Sequence, residues 1–203
     1  IIAIVFFAVF FSTLASTLLF GVFYEKSMFN SACVSSKQAV SQANETVSNY
    51  MSSIKSKLNN LCKEADNYTD ISSLQNAIYA AARLEEDIYC VMIYDMQGNL
   101  LLDGNSNNIK VKSNATNLSY DKSVFSNLKD GFAITQPHVN TLYKNKYPWV
   151  VTIAKREYSN LFAQQVFVAI DFKFSSIAKY IDKVSIGQRG YCYIITSKGE
   201  IIY

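Results

Sequence analysis

The stretch Ile88-Tyr-Cys-Val-Met-Ile-Tyr94-Asp-Met-Gln-Gly98-Asn-Leu-Leu-Leu-Asp103 decides the fold class. Residues 88–94 are rich in β-branched and aromatic side chains, Asp95-Met-Gln-Gly98 carries turn chemistry, and residues 99–103 return as a second apolar run. That pattern is a β-hairpin. Downstream, residues 132–139, 149–155 and 165–172 have the same strand composition, separated by polar or glycine-containing segments. The expectation is a five-stranded antiparallel sheet in an α+β domain. Residues 105–118 are polar and Asn-rich, consistent with a loop, and residues 120–128 form a short helix ended by Asp130-Gly131.

The hairpin is also repeated. Ile194-Ile-Thr-Ser-Lys-Gly199-Glu-Ile-Ile-Tyr203 aligns with Ile93-Tyr-Asp-Met-Gln-Gly98-Asn-Leu-Leu-Leu102, and each follows a Tyr-Cys pair, Tyr89-Cys90 and Tyr191-Cys192. A duplicated module is implied, and the second copy is cut after its first hairpin. The segment between the copies holds a helix over residues 175–184, with Ile177, Tyr180, Ile181 and Val184 on one side.

Upstream the period changes from two to nearly four. Residues 71–87 carry Leu74, Ile78, Ala81, Ala82 and Leu84 at helical spacing, with Asp70 or Thr69 as the cap. Residues 25–66 lack Gly and Pro, and Val40, Ala43, Val47, Met51, Ile54, Leu58, Leu61 and Ala65 recur at steps of three and four. The average step is near 3.6, which suits a straight amphipathic helix lying on a domain or beside a twin.

Residues 1–24 contain no charge, and Glu25 and Lys26 close the run. At about 1.5 Å per residue they reach roughly 36 Å, enough to cross a hydrocarbon core of about 30 Å. Ser12, Thr13, Ser16 and Thr17 are placed to bond their own helical carbonyls, and Phe23 and Tyr24 fall where an interfacial aromatic belt belongs. The expected order is a transmembrane helix (1–24), a long signalling helix (25–66), a first module (67–174), a linking helix and loop (175–189) and the start of a second module (190–203).

Chemistry is sparse. The net charge of +3 is scattered, without the basic patch that nucleic acid demands. Cys33, Cys62, Cys90 and Cys192 have no CxxC spacing and only His138 for company, so no metal site or cofactor is expected. Free thiols are the default. Asn44, Asn67, Asn114 and Asn117 begin Asn-x-Ser/Thr sequences, acceptors only in a eukaryotic secretory setting. No Gly-x-Ser-x-Gly, phosphate loop or paired carboxylates appear, so no catalytic residue is assigned. His138, following Pro137 in a strand-like run, reads as a surface or pocket-rim residue.

The whole pattern resembles a known family. A span, a long helix, a five-stranded module with helices and then Gly187-x-x-Gly-Tyr-x-x-Ile-Ile-x-x-x-Gly-x-Ile-Ile-Tyr203 look like the extracellular double Cache domain of bacterial membrane receptors. Cys62-Lys-Glu64 and the helix over 71–86 look most like sensor histidine kinases; chemoreceptors and diguanylate cyclases carry similar domains. The resemblance implies residues 25–203 on the extracellular side, PAS-like modules, a small-molecule ligand in the membrane-distal one, a homodimer, and signalling by helix movement. In the family's amino-acid-binding subset an Arg-x-Trp-aromatic block precedes the third strand and an Asp stands on the last strand. Asp171 matches by position, but none of Arg83, Arg156 and Arg189 precedes a Trp at that spacing.

Ligand candidates follow from alternation. If Trp149 faces the pocket, Val151 and Ile153 share its face; Phe167, Ala169 and Asp171 form one face of the last strand. Tyr120, Asp121 and Phe125 lie on the covering helix and His138 at the rim. Asp171 reads either as ligand-facing or as a cap on the next helix. A membrane-anchored surface protein binding a macromolecular partner is the alternative function.

Overall fold

The computed structural model describes residues 2–112, 128, 131–182, 193–195 and 199. The chain divides into two compact units, Ile1–Glu45 with Asp182–Cys192, and Thr46–Ile181 with Tyr193–Tyr203. The first unit carries most of helix α1 (Ile2–Ala65), whose apolar side chains Phe6, Phe7, Phe10, Phe11, Leu18, Phe20 and Phe23 are all exposed. This segment is long and apolar enough to cross a membrane. Thr13 and Thr17 donate to the carbonyls of Phe10 and Thr13 at 2.9 and 2.8 Å, as expected of hydroxyls in an apolar helix.

The second unit is an antiparallel sheet with helices. Strands β1 (Ile88–Asp95), β2 (Leu100–Asn105), β3 (Phe132–Ile134), β4 (His138–Val139), β5 (Trp149–Ser159) and β6 (Gln164–Lys173) pair in the order β2-β1-β6-β5-β3, with β4 also on β5. Helix α2 (Ile71–Leu84) precedes the sheet and α3 (Phe174–Asp182) follows it. Sequence alternation places these strands closely. One run differs: residues 132–139 break at Thr135–Pro137 into β3 and β4, because a proline cannot donate to the ladder. The β5 and β6 strands extend beyond residues 149–155 and 165–172 to a loop over 160–163, where Ala163 takes φ 51°. The expected helix over 120–128 and the second hairpin lie outside the described residues, single positions excepted.

Local chemistry sets the turns. Asp95 Oδ1 accepts from the amides of Gln97 and Asn99 at 2.9 and 2.8 Å, and Gly98 supplies the φ of 89° that closes the β1–β2 turn. Asp70 caps α2 by accepting from the Ser73 amide at 2.8 Å.

Register assigns the two sheet faces. Val91 pairs with Ile170, Ile93 with Val168, and Val151 with Phe172, so these side chains share one face. Ile54, Leu58, Leu61 and Cys62 of α1, Leu74, Ile78 and Ala82 of α2, and Ser176, Ile177 and Ile181 of α3 are the helical residues that become buried. Gly104 of β2 is where α2 comes closest: a Cβ there would stand 2.6 Å from Ile78 Cγ2 and 2.9 Å from the backbone of Ile78 and Tyr79. The apolar stripe of α1 thus divides. From Ile54 onward it belongs to this core, whereas Val40 stays exposed.

Candidate ligand-binding site

The opposite face of the sheet carries a second core with polar groups in it. Cys90, Met92 and Tyr94 pair with Asp171, Ala169 and Phe167, and Thr152 and Ala154 pair with Asp171 and Ala169. Val150, Ala133, Leu142 and Tyr143 complete the cluster, with Ile109, Val111 and Leu128 packed against it. Residues 109–112 reach this face by pairing with 142–144: Val111 bridges Tyr143, and the Lys112 amide donates to the Leu142 carbonyl at 3.0 Å. Asn105 pins that excursion, holding the Ile109 amide and carbonyl at 2.8 Å each.

Asp171 lies at the centre and is 0% exposed. Thr152 Oγ1 donates to its Oδ1 and Asn140 Nδ2 to its Oδ2, both at 2.6 Å. Asn140 is held in turn, since its Oδ1 accepts from the Leu142 amide at 2.9 Å. Beyond Thr152 the network reaches His138, whose Nε2 is 3.4 Å from Thr152 Oγ1 and whose Nδ1 is 3.2 Å from Thr135 Oγ1. Burying so polar a group in an apolar face is costly unless hydrogen bonds compensate it, and here neutral donors supply them.

A β-bulge adds one more polar group. The register of β1 on β6 shifts between Ile88 and Cys90, so Tyr89 is the extra residue and its ring joins Cys90 on the same face. Bulges re-aim side chains in this way and concentrate near functional sites. The Tyr89 ring meets Tyr143 edge-on at 5.7 Å between centroids. Its hydroxyl is buried and has no hydrogen-bond partner among the described residues. The other phenols are engaged: Tyr143 donates to Asp103 Oδ2 at 3.1 Å and Tyr94 to Met92 Sδ at 3.1 Å.

Burial suppresses ionisation on this face. It pushes the Tyr89 phenol up to about 12 and the Cys90 thiol and the Tyr94 and Tyr143 phenols well above their ordinary values, with nearby acidic groups adding to each shift. All four stay protonated at neutral pH. Besides the Asp103 carboxyl that Tyr143 engages, the site therefore offers the carboxyl of Asp171 and a phenolic hydrogen on Tyr89 with no partner among the described residues, inside an aromatic surround.

Of the residues singled out from sequence, Asp171 and His138 are joined through Thr152. Trp149 is placed differently. It pairs with Val139, shares the Val151 and Ile153 face, which is the one opposite Asp171, and is 58% exposed. Tyr120, Asp121 and Phe125 lie outside the described residues. Sequence reasoning missed Tyr89, Asn140, Tyr143 and Thr152. A register counted from Thr152, the polar residue within the apolar β5 run, would have selected the Asp171 face.

Solved structures share this fold. The sensory domain of the Campylobacter jejuni chemoreceptor Tlp3 with isoleucine bound matches with a TM-score of 0.62 at 14% identity, over 88% of this chain and 71% of that one. The chain has the fold of chemoreceptor ligand-binding domains. The Tlp3 ligand-binding domain in complex with 4-methylisoleucine matches at a TM-score of 0.61 and 13% identity, over 81% of this chain. The Pseudomonas fluorescens chemoreceptor CtaA ligand-binding domain, in complex with L-alanine, matches at 0.59 and 13% identity, over 79% of this chain. The chain spans 66% of the length of each of these last two domains. No protein-family profile and no curated protein matches the sequence. At such identities the likeness establishes the fold, a Cache-like antiparallel sheet behind a long N-terminal helix.

Proposed function

We propose that this chain is the ligand-sensing region of a membrane-bound signal-transduction receptor, and that its ligand binds on the Asp171 face of the sheet. Residues 1–24 would span the membrane, residues 25–66 would carry the signal, and residues 67–174 would form the membrane-distal sensing module. The observation that carries the reading is the buried carboxyl of Asp171 on the same sheet face as the Tyr89 hydroxyl, which is buried with no partner among the described residues, set among aromatic rings. Ligand pockets combine an apolar surround with a few convergent polar groups in this way.

The same pair suggests the ligand class. A carboxyl accepts from an amine or ammonium, and a phenolic hydrogen donates to an acceptor such as a carboxylate. Small amino-bearing metabolites, L-amino acids foremost, present both, and the fold neighbours are described in complex with such molecules. The Arg-x-Trp block of amino-acid-binding Cache domains is still missing from the sequence, so Tyr89 and Asn140 would have to supply what that block supplies elsewhere.

Two output readings stand together. The sequence resemblance favours a sensor histidine kinase, and the fold neighbours favour a chemoreceptor equally well. Either would work as a homodimer.

The test is a thermal-shift and calorimetry panel of L-isoleucine, L-valine and L-alanine against the matching deaminated acids. The expected result is a concentration-dependent rise in melting temperature with one or more amino acids. Asp171→Asn should weaken that binding about tenfold or more. Silence across the panel, or equal binding by Asp171→Asn, would overturn the assignment of ligand class and site.

A further inference from the structure

A separate cavity opens on the other side of the molecule, where α1 and α2 stand over the Val91 and Ile170 face of the sheet. It has a volume of about 330 Å³. That is the small end of the range for small-molecule pockets, about 300–1,000 Å³. Its floor is Ile88, Val91 and Ile170, all nearly inaccessible to solvent. Its α2 wall is Ala77, Ala80 and Ala81, whose short side chains leave the space that larger residues would fill. Leu84 stands at the end of that wall and is 84% exposed. An apolar slot with a buried floor and an uncovered leucine at its mouth lies between the two helices.

The polar part of the lining is uneven in charge. Lys57, Glu64 and Glu85 line the slot, giving two carboxyl groups against one ammonium. Lys57 Nζ is held by Glu85 Oε2 at 2.6 Å. Glu64 makes no ion pair among the described residues, and Asn60 and Tyr68 stand beside it. Apolar depth and a negatively biased mouth are complementary to one kind of molecule.

We infer that this slot is a second binding site, separate from the Asp171 face, for a small organic cation with an apolar body, such as an arylalkyl or short alkyl amine. The hydrocarbon part would occupy the space over Ile88, Val91 and Ile170, and the ammonium would sit at the Glu64 carboxylate. Because Val91 and Ile170 point to the face opposite Cys90 and Asp171, the two sites are separated by the thickness of the sheet.

The experiment is a fluorine NMR titration of 4-fluorobenzylamine into the full chain in lipid nanodiscs, with empty nanodiscs subtracted. The Asp171→Asn variant is titrated in parallel so that an amine on the other face is not counted. Saturable binding at about 1 mM or tighter is expected, equal in both proteins. Ala81→Phe fills the slot and should remove the binding. Glu64→Gln leaves the fold untouched at an exposed position and should weaken it threefold or more. 4-Fluorobenzoate and 4-fluorobenzyl alcohol should bind more weakly than the amine. No saturable binding, binding that survives both substitutions, or loss with Asp171→Asn alone would overturn the proposal. Equal binding of the benzoate would overturn its cation preference. Loss of binding as the protein is concentrated would assign the slot to a second copy of the chain instead.

Discussion

Thr152 and Asp171 stand opposite each other on β5 and β6, and the threonine hydroxyl donates to Asp171 Oδ1 at 2.6 Å. Both residues are buried, so the bond is made where water cannot replace it. Thr152→Val keeps the shape and removes the donor. The expected cost is about 1–3 kcal/mol, because an acceptor is left short of a partner inside the protein. Urea denaturation of the variant beside the parent measures it. A variant as stable as the parent would mean that the remaining donors, Asn140 among them, satisfy the carboxyl.

Gly104 is fixed by close approach, with φ in the ordinary range for β2. A methyl group there meets Ile78 Cγ2 and the backbone of α2 at distances that real Cβ atoms do not show. Gly104→Ala should force α2 away from the sheet and destabilise the unit by about 1–3 kcal/mol, the usual range for overpacking. The same substitution at Gly131, where nothing lies within 4 Å but φ is 81°, acts through backbone strain and leaves α2 in place. Amide exchange across residues 74–82 distinguishes the two, since only the first variant should lose protection there.

Asp70 gives the unit a measurable pH dependence. Its carboxyl accepts from the Ser73 side chain and amide, which holds its pKa below the ordinary carboxylate value. A group whose folded pKa is depressed adds stability above its unfolded pKa and loses it as pH falls through the folded one. The cap should therefore contribute fully at neutral pH and fade in the acid range below about pH 4. Asp70→Asn keeps a capping oxygen without the titration. Stability curves of the two proteins should converge on acidification, and parallel curves would refute the linkage.

The two sheet faces show why some of this was legible in sequence and some was not. Strand positions follow from alternation, and the Asp95 turn and Asp70 cap follow from side chains that bond their own backbone, so both are local properties. Which face a strand presents depends on register with its partner. Counting from Trp149 selects the face with Val151 and Ile153; counting from Thr152 selects the Asp171 face. A one-residue difference in the starting point exchanges every side chain on the strand. Tyr89 was hidden for a related reason. Strict alternation sends it away from Cys90, and only the bulge in β1, a tertiary feature, turns both to one side. Asn140 is beyond local reading altogether, because its partner Asp171 is thirty-one residues away.

The bulge also permits the sharpest separation of stability from binding. The Tyr89 hydroxyl is buried without a partner among the described residues, and a buried orphan donor costs about 1–3 kcal/mol. A domain with no other use for that oxygen would be better served by phenylalanine. Tyr89→Phe should thus raise the stability of the ligand-free chain by about 1 kcal/mol or more while keeping the edge-on contact with Tyr143. If the hydroxyl serves the ligand, the same change should lower affinity, by about fivefold or more for a lost hydrogen bond of about 1 kcal/mol. Denaturation without ligand and calorimetry with the amino acid that binds best give the two numbers. Higher stability with weaker binding places the hydroxyl in the site, whereas higher stability with unchanged affinity removes Tyr89 from it and leaves Asp171 and Asn140 as the orienting groups.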